Sequence, residues 1–293
     1  MSFLVSGTLK PNRGEPQVAE SRRYTSPPLS LVTAEIRLMH EPRLEDSGAL
    51  NRFIEPLRQK FPLISTEQIQ LAVAVRDVSP NEGGIAPRTF DQIRGTDVDR
   101  TRMISLQPRS LTFSTKGKDY QGFKLSVEPF IRASVESLLS VAPQAMLDDI
   151  GLRYLNEIEM PSLDSGPDDW RRWIRGDVLS ASAASTGVCL GFRSSSHSHE
   201  ETETDLFAIT FTCGNHRGTS VIRDTSPLAP PTTSRRQAIV IDIEGNWSPD
   251  KACALGFVDT IPYFDRLHCL ADEPFDWVLT DYARDQFGGR PRA

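Results

Sequence analysis

A chain of 293 residues, 38% hydrophobic and 25% charged, is long enough to bury a substantial core as one large domain or two modest ones. Its net charge of −6 excludes a surface given over wholly to phosphate contacts, which need clustered Lys and Arg. No apolar run approaches the roughly 20 residues that cross a bilayer. Met1–Pro28 lacks the charged, apolar and small-residue order of a signal peptide, so the expected location is the cytoplasm, with no membrane contact. Cys189, Cys213, Cys253 and Cys269 show no CxxC pairing and read as reduced thiols.

Residues 1–26 are rich in Pro, Gly, Ser and charge, which predicts a flexible tail. Val32, Ala34, Ile36 and Leu38 alternate with polar residues as a half-buried strand requires. Leu50, Phe53, Ile54, Leu57 and Phe61 then follow helical spacing around Pro56. Ile69, Leu71, Val73 and Val75 return to the two-residue period, and the polar stretch Asp77–Arg100 reads as a long loop. Ile104 and Leu106 face Leu111 and Phe113 across Pro108-Arg109 as a hairpin. Ser126 is the expected N-cap of a helix striped by Val127, Phe130, Ile131, Val135, Leu138 and Leu139.

Leu152, Tyr154, Asn156 and Ile158 alternate along a further strand, and Pro161–Pro167 interrupts the pattern. A short helix carrying Trp170 and Trp173 follows, then strands centred on Leu190, Ile209 and Ile241. Ser194–Thr204 and Ser226–Arg236 separate these strands and read as solvated hairpin tips. The end is helical: Ile261, Phe264, Leu267 and Ala271 share a face, Pro274 interrupts, and Thr280 is an N-cap candidate.

Strands outnumber helices, and the connections are too short for repeated βαβ crossovers. The expected class is therefore α+β, with mainly antiparallel sheets and two or three long helices packed on one face. After the tail, residues 27–160 and 161–293 form two α+β halves. Each offers several strands and then a helix, the pattern of a distant duplication, although no residue-level repeat supports it.

Pro27-Pro28-Leu29 with Glu35-Ile36-Arg37, Tyr120-Gln121-Gly122-Phe123, Gly151-Leu152-Arg153-Tyr154-Leu155-Asn156 and Thr280-Asp281 through Phe287-Gly288 form a set. In these motifs the chain resembles a sporadically distributed family of uncharacterised bacterial proteins of 250–300 residues. The resemblance spans most of residues 27–289, and the GLRYxN strand is its most specific element. It implies no settled activity. The family's scatter implies genes that travel with mobile, defence or toxin–antitoxin loci.

Four groups are candidates for chemistry. Cys213 and His216 stand three apart after a strand, with His197 and His199 in a nearby loop, a set of nitrogen and sulfur donors that suits zinc. The competing reading is an inward-facing Cys and solvated histidines. On the GLRYxN strand alternation puts Arg153 with Leu155 and Glu157 on one face and Leu152, Tyr154 and Asn156 on the other; Arg153 is placed to grip an anion bidentately or to pair with Glu35, Glu157 or Glu159. Asp242 and Glu244 share one strand face, which is more simply a solvated face than a cation site. Trp170, Arg171, Arg172 and Trp173 combine residue types that anchor protein interfaces, with base stacking the weaker alternative because aspartates surround them. No P-loop, GxGxxG, GxSxG or HExxH motif occurs, and no cofactor is implied.

The leading expectation is a non-enzymatic interaction protein whose partner is encoded by a neighbouring gene. The alternative is a ligand sensor or enzyme with an anion-recognising pocket around Arg153.

Overall fold

The computed structural model describes residues 22–74, 85–162, 165–183, 193–201, 205–218, 228 and 236–291. The first half contains β1 (Arg22–Arg23), β2 (Leu29–Leu38), α1 (Ser47–Ile54), β3 (Leu63–Ala74), β4 (Ile85–Thr96), β5 (Arg102–Gln107), β6 (Ser110–Lys116), α2 (Phe123–Ser126) and α3 (Glu128–Val141). There follow β7 (Met146–Glu159), α4 (Pro167–Trp173), α5 (Gly176–Ala183), β8 (Arg193–Glu201), β9 (Asp205–Gly218) and β10 (Arg236–Pro249). The chain closes with β11 (Cys253–Ala254), α6 (Ile261–Val278), α7 (Asp281–Gln286) and β12 (Arg290–Pro291).

One sheet runs in the order β3-β4-β5-β6-β2-β7-β10-β9-β8, with β11 added to β7, and its pairings are antiparallel. This is the α+β class expected. The apolar period of β2 and β7 explains the layering, since Val32, Ala34, Ile36, Leu152 and Ile158 turn to one face and are buried there. On that face Phe130 of α3 stacks on Phe113 of β6 at 4.8 Å between centroids. Phe264, Leu267 and Ala271 of α6 are buried on the same side, where α6 lies over β7, β9 and β10. A single core cluster joins residues of both halves.

The other face of the sheet is polar and held by ion pairs. Arg37 reaches Glu35 at 3.0 Å, Asp149 at 3.1 Å and Glu244 at 3.5 Å. Only a small cluster of Leu31, Met103, Leu155 and Leu228 is buried there.

Strand order repeats about the β2–β7 pair. Strand β2 is followed by a helix, a meander from β3 to β6 that returns beside β2, and then α3. Strand β7 is followed by helices, a meander from β8 to β10 that returns beside β7, and then α6. By this pattern β7 takes in the second series the place that β2 takes in the first.

Several local expectations change. Part of the expected loop Asp77–Arg100 is β4, paired with β3 along its whole length. Among the described residues only Ile93–Thr96 continue the pairing to β5, so along most of their length β3 and β4 pair with each other alone. Much of Ser194–Thr204 is the edge strand β8; a polar sequence suits an edge. Ser126 ends α2 instead of capping α3, and its hydroxyl accepts from Gln121 N–H. Pro56 tightens the chain into a 3₁₀ turn after α1, whereas Pro274 lies inside α6. Thr280 does cap α7, accepting from Ala283 N–H. The strand expected around Leu190 and most of the first 26 residues lie outside the described residues.

Candidate functional site

Alternation along β7 divides the GLRYxN motif between two faces. Arg153 and Leu155 turn to the polar face, while Leu152, Tyr154 and Asn156 turn toward the helices. Arg153 donates to both oxygens of Asp242 on β10, at 2.8 and 2.7 Å. Its charge is met there, and Asp242 is the partner that the sequence reading did not consider. Arg153 therefore does not share a pocket with Tyr154 and Asn156.

Tyr154 and Asn156 instead form the floor of a cavity of 720 Å³ on the helix side. Three segments wall it. The segment Tyr24–Leu29 crosses one side as a strap, fastened by Ser26 N–H donating to Phe287 O and by the Tyr24 hydroxyl donating to Asp276. The turn Tyr120–Leu125 forms a second wall, and α6 supplies the third. The turn is seated against the start of β2 at Gly117, where the Leu29 carbonyl oxygen stands 1.7 Å from the point a Cβ would occupy. No side chain fits there.

From α6, Asp265, His268, Cys269 and Asp272 line the cavity at i, i+3, i+4 and i+7, a single stripe beside the buried stripe of Phe264, Leu267 and Ala271. The Tyr154 hydroxyl is bonded to His268 Nδ1 at 2.9 Å and to the Tyr120 hydroxyl at 3.2 Å. The His268 ring lies between Phe123 and Tyr154, with centroids 6.1 and 5.8 Å away. Burial pushes the Tyr154 phenol well above its ordinary range, and Tyr120 and Asp272 push it the same way. Tyr154 thus has one proton to give, and the chain has two polarities. When Nδ1 is unprotonated, Tyr120 donates to Tyr154 and Tyr154 to His268; a protonated Nδ1 reverses both bonds.

Asn156 is 4% exposed and donates through Nδ2 to the Ile241 carbonyl at 3.4 Å. Its Oδ1 meets no donor among the described residues, although the side chain lines the cavity. The amide orientation is fixed by chemistry, because a flip would set two acceptors against each other.

The Trp/Arg group is dispersed. Trp170 is 1% exposed and belongs to the core. Trp173 packs edge-on to Tyr282 and stacks on Phe287, so α4 fastens α7. Arg171 pairs with Asp168 at 2.8 Å, and Arg172 lies over the Tyr282 ring at 4.2 Å. Arg171 and Arg172 are exposed and Trp173 is half-buried, so one of the two rings stays beside the arginines at the surface.

Cys213 is fully buried on the helix side of β9, and burial pushes its thiol up. Zinc needs the thiolate. His216 is three residues farther along the same uninterrupted strand and is of opposite parity, while His197 and His199 are in register with Thr210 and Ala208. The histidine side chains lie outside the described residues, and among the described residues no three His, Cys, Asp or Glu form a metal-holding group.

Tyr120, His268, Asp265 and Asp272 are the site residues the sequence reading did not select. Their signal was present in part, as a titratable stripe flanking the apolar stripe of α6. Their meeting with Tyr154 depends on tertiary packing. No family model matches the chain, and no curated protein is recognisably similar to it. Among the described residues no helix is long and apolar enough to cross a membrane.

Proposed function

We propose that the protein binds a small organic molecule in the cavity floored by Tyr154 and Asn156, as a ligand-sensing or carrying protein of the family its motifs resemble. The observation that carries this reading is the cavity itself. Its 720 Å³ lies within the range of about 300–1,000 Å³ typical of small-molecule sites. Aromatic walls from Tyr24, Tyr120, Phe123 and Phe275 surround a few fixed polar groups, the usual division between affinity and orientation. The sheet and α6 hold these groups without a ligand, so little ordering opposes binding.

Cys269 is exposed and lines the cavity, which makes a filling substitution available there. In a thermal-shift screen against a metabolite library, stabilising compounds are expected that lose their effect on the Cys269→Trp variant. Compounds that stabilise this variant equally, or a library without effect, would count against the cavity as the site.

A second reading, a component that pairs with the product of a neighbouring gene, is favoured by the β3–β4 ribbon. Before Ile93, among the described residues, β4 pairs with β3 alone, and the ribbon offers an edge for strand addition. Co-expression with that product tests it: a stable complex weakened by Thr66→Pro in β3 is expected, and a complex indifferent to this substitution excludes the ribbon.

A further inference from the structure

The chemistry of the cavity also defines the class of its ligand, an inference that rests on the small-molecule reading above. Asn156 holds an acceptor, Oδ1, on the cavity floor with no protein donor to meet it among the described residues, in a side chain only 4% exposed. An occupant of the cavity that brings an N–H or O–H to it gains a hydrogen bond that the described residues do not supply. The α6 wall places two carboxylates, Asp265 and Asp272, on the cavity stripe. Asp265 has no ion-pair partner among the described residues, and Lys124, the cationic residue of the lining, is exposed. Tyr24, Tyr120, Phe123 and Phe275 line the cavity, and an aromatic ring attracts an organic cation to its face.

We infer that the cavity takes a small organic cation bearing N–H groups, a protonated amine or amidine on an apolar or flat body. Its N–H is donated to Asn156 Oδ1, its charge faces Asp265 and Asp272, and its body lies against the aromatic walls. An anionic ligand meets the wrong charge. A quaternary ammonium satisfies the charge but leaves Asn156 unmet. The Tyr120–Tyr154–His268 chain, already bonded end to end, fixes the ring of Tyr154 beside Asn156 and keeps the floor rigid.

Four probes of similar size separate these requirements: benzamidine, neutral benzamide, benzoate and phenyltrimethylammonium. Binding is read by titration calorimetry on the full chain and by protection of Cys269 from iodoacetamide, mapped by mass spectrometry. Benzamidine is expected to bind at least about tenfold more tightly than each of the others, the equivalent of one well-made hydrogen bond or charge contact. Asp265→Asn and Asp272→Asn keep the shape of the wall and should each weaken benzamidine about threefold or more, with a reduced salt dependence. Asn156→Leu should weaken benzamidine about tenfold and leave phenyltrimethylammonium unchanged. If Asn156→Leu does not fold, the two aspartate variants and the probe ranking still decide the matter. Equal or tighter binding of benzamide or benzoate, with Cys269 protected, overturns the cation assignment while leaving the cavity a ligand site. If none of the four probes binds or protects Cys269, both the assignment and the small-molecule reading fall.

Discussion

Arg153 and Asp242 meet on the polar face with partial exposure, 37% and 25% of their side chains, and with bidentate geometry. Exposed pairs are worth little, and fully buried pairs leave a costly orphan when one member is removed. This pair lies between those limits. Arg153→Met and Asp242→Asn are each expected to cost about 1–2 kcal/mol, with a coupling near 1 kcal/mol in a double-mutant cycle by urea denaturation. A coupling near zero would mean that the pair only decorates the sheet. Tyr154 gives a second residue-scale expectation, with a definite sign. Its phenol ionises later in the folded protein than in the unfolded chain, so folding retains a proton in alkaline solution. That contribution is intact below an unfolded phenol pKa of about 10 and is lost as pH rises beyond it. Tyr154→Phe cannot lose it, so the stability gap between wild type and variant should narrow between about pH 9 and 11. A gap that widens contradicts the assignment. Arg153 was recognisable in the sequence as a choice between ligand and ion pair. Its partner was not, because Asp242 is 89 positions away and only the β7–β10 register makes them neighbours.

At the scale of the element, α4 shows how a motif misleads. Two tryptophans three apart, with arginines between them, have the composition of an interface anchor. The helix has 7 residues, too few to be stable by itself, so its bulky residues are taken up by the core. Trp170→Ala should cost about 3–5 kcal/mol in denaturant unfolding, as large-to-small core changes do. A cost under about 1 kcal/mol would show that the site is a surface one. Helix α6 is the opposite case. Its apolar stripe was legible from Ile261, Phe264, Leu267 and Ala271, and all four are buried. Beside it runs a stripe of Asp265, His268, Cys269 and Asp272. It lines a cavity because the strap and the Tyr120 turn rise on either side of it. Strand β4 was missed because Ile85–Thr96 shows no apolar alternation in its sequence, and periodicity does not read hydrogen bonding.

At the scale of the molecule, the strap closes the cavity and ties the two ends of the described chain together. β1 pairs with β12, and Ser26 bonds to Phe287 next to Gly288. Gly288 has φ +65°, and a Cβ there would stand 2.1 Å from Thr25 Oγ1. Gly288→Val combines backbone strain of about 1–2 kcal/mol with displacement of the strap. It should raise the alkylation rate of Cys269 and lower the melting temperature by several degrees. An unchanged alkylation rate would show that the strap does not limit access.

Strands β2 and β7 lie side by side in the sheet, and each opens a series of helix, meander and helix. Composition and periodicity determined what depends on local burial: the α+β class, the apolar faces of β2, β7, α3 and α6, and the Thr280 cap. Alternation already divided the side chains of the GLRYxN strand, and tertiary structure alone decided what each face meets. A strand sends alternate residues to opposite faces, so Arg153 went to an ion pair and Tyr154 and Asn156 to a cavity completed by residues more than a hundred positions away.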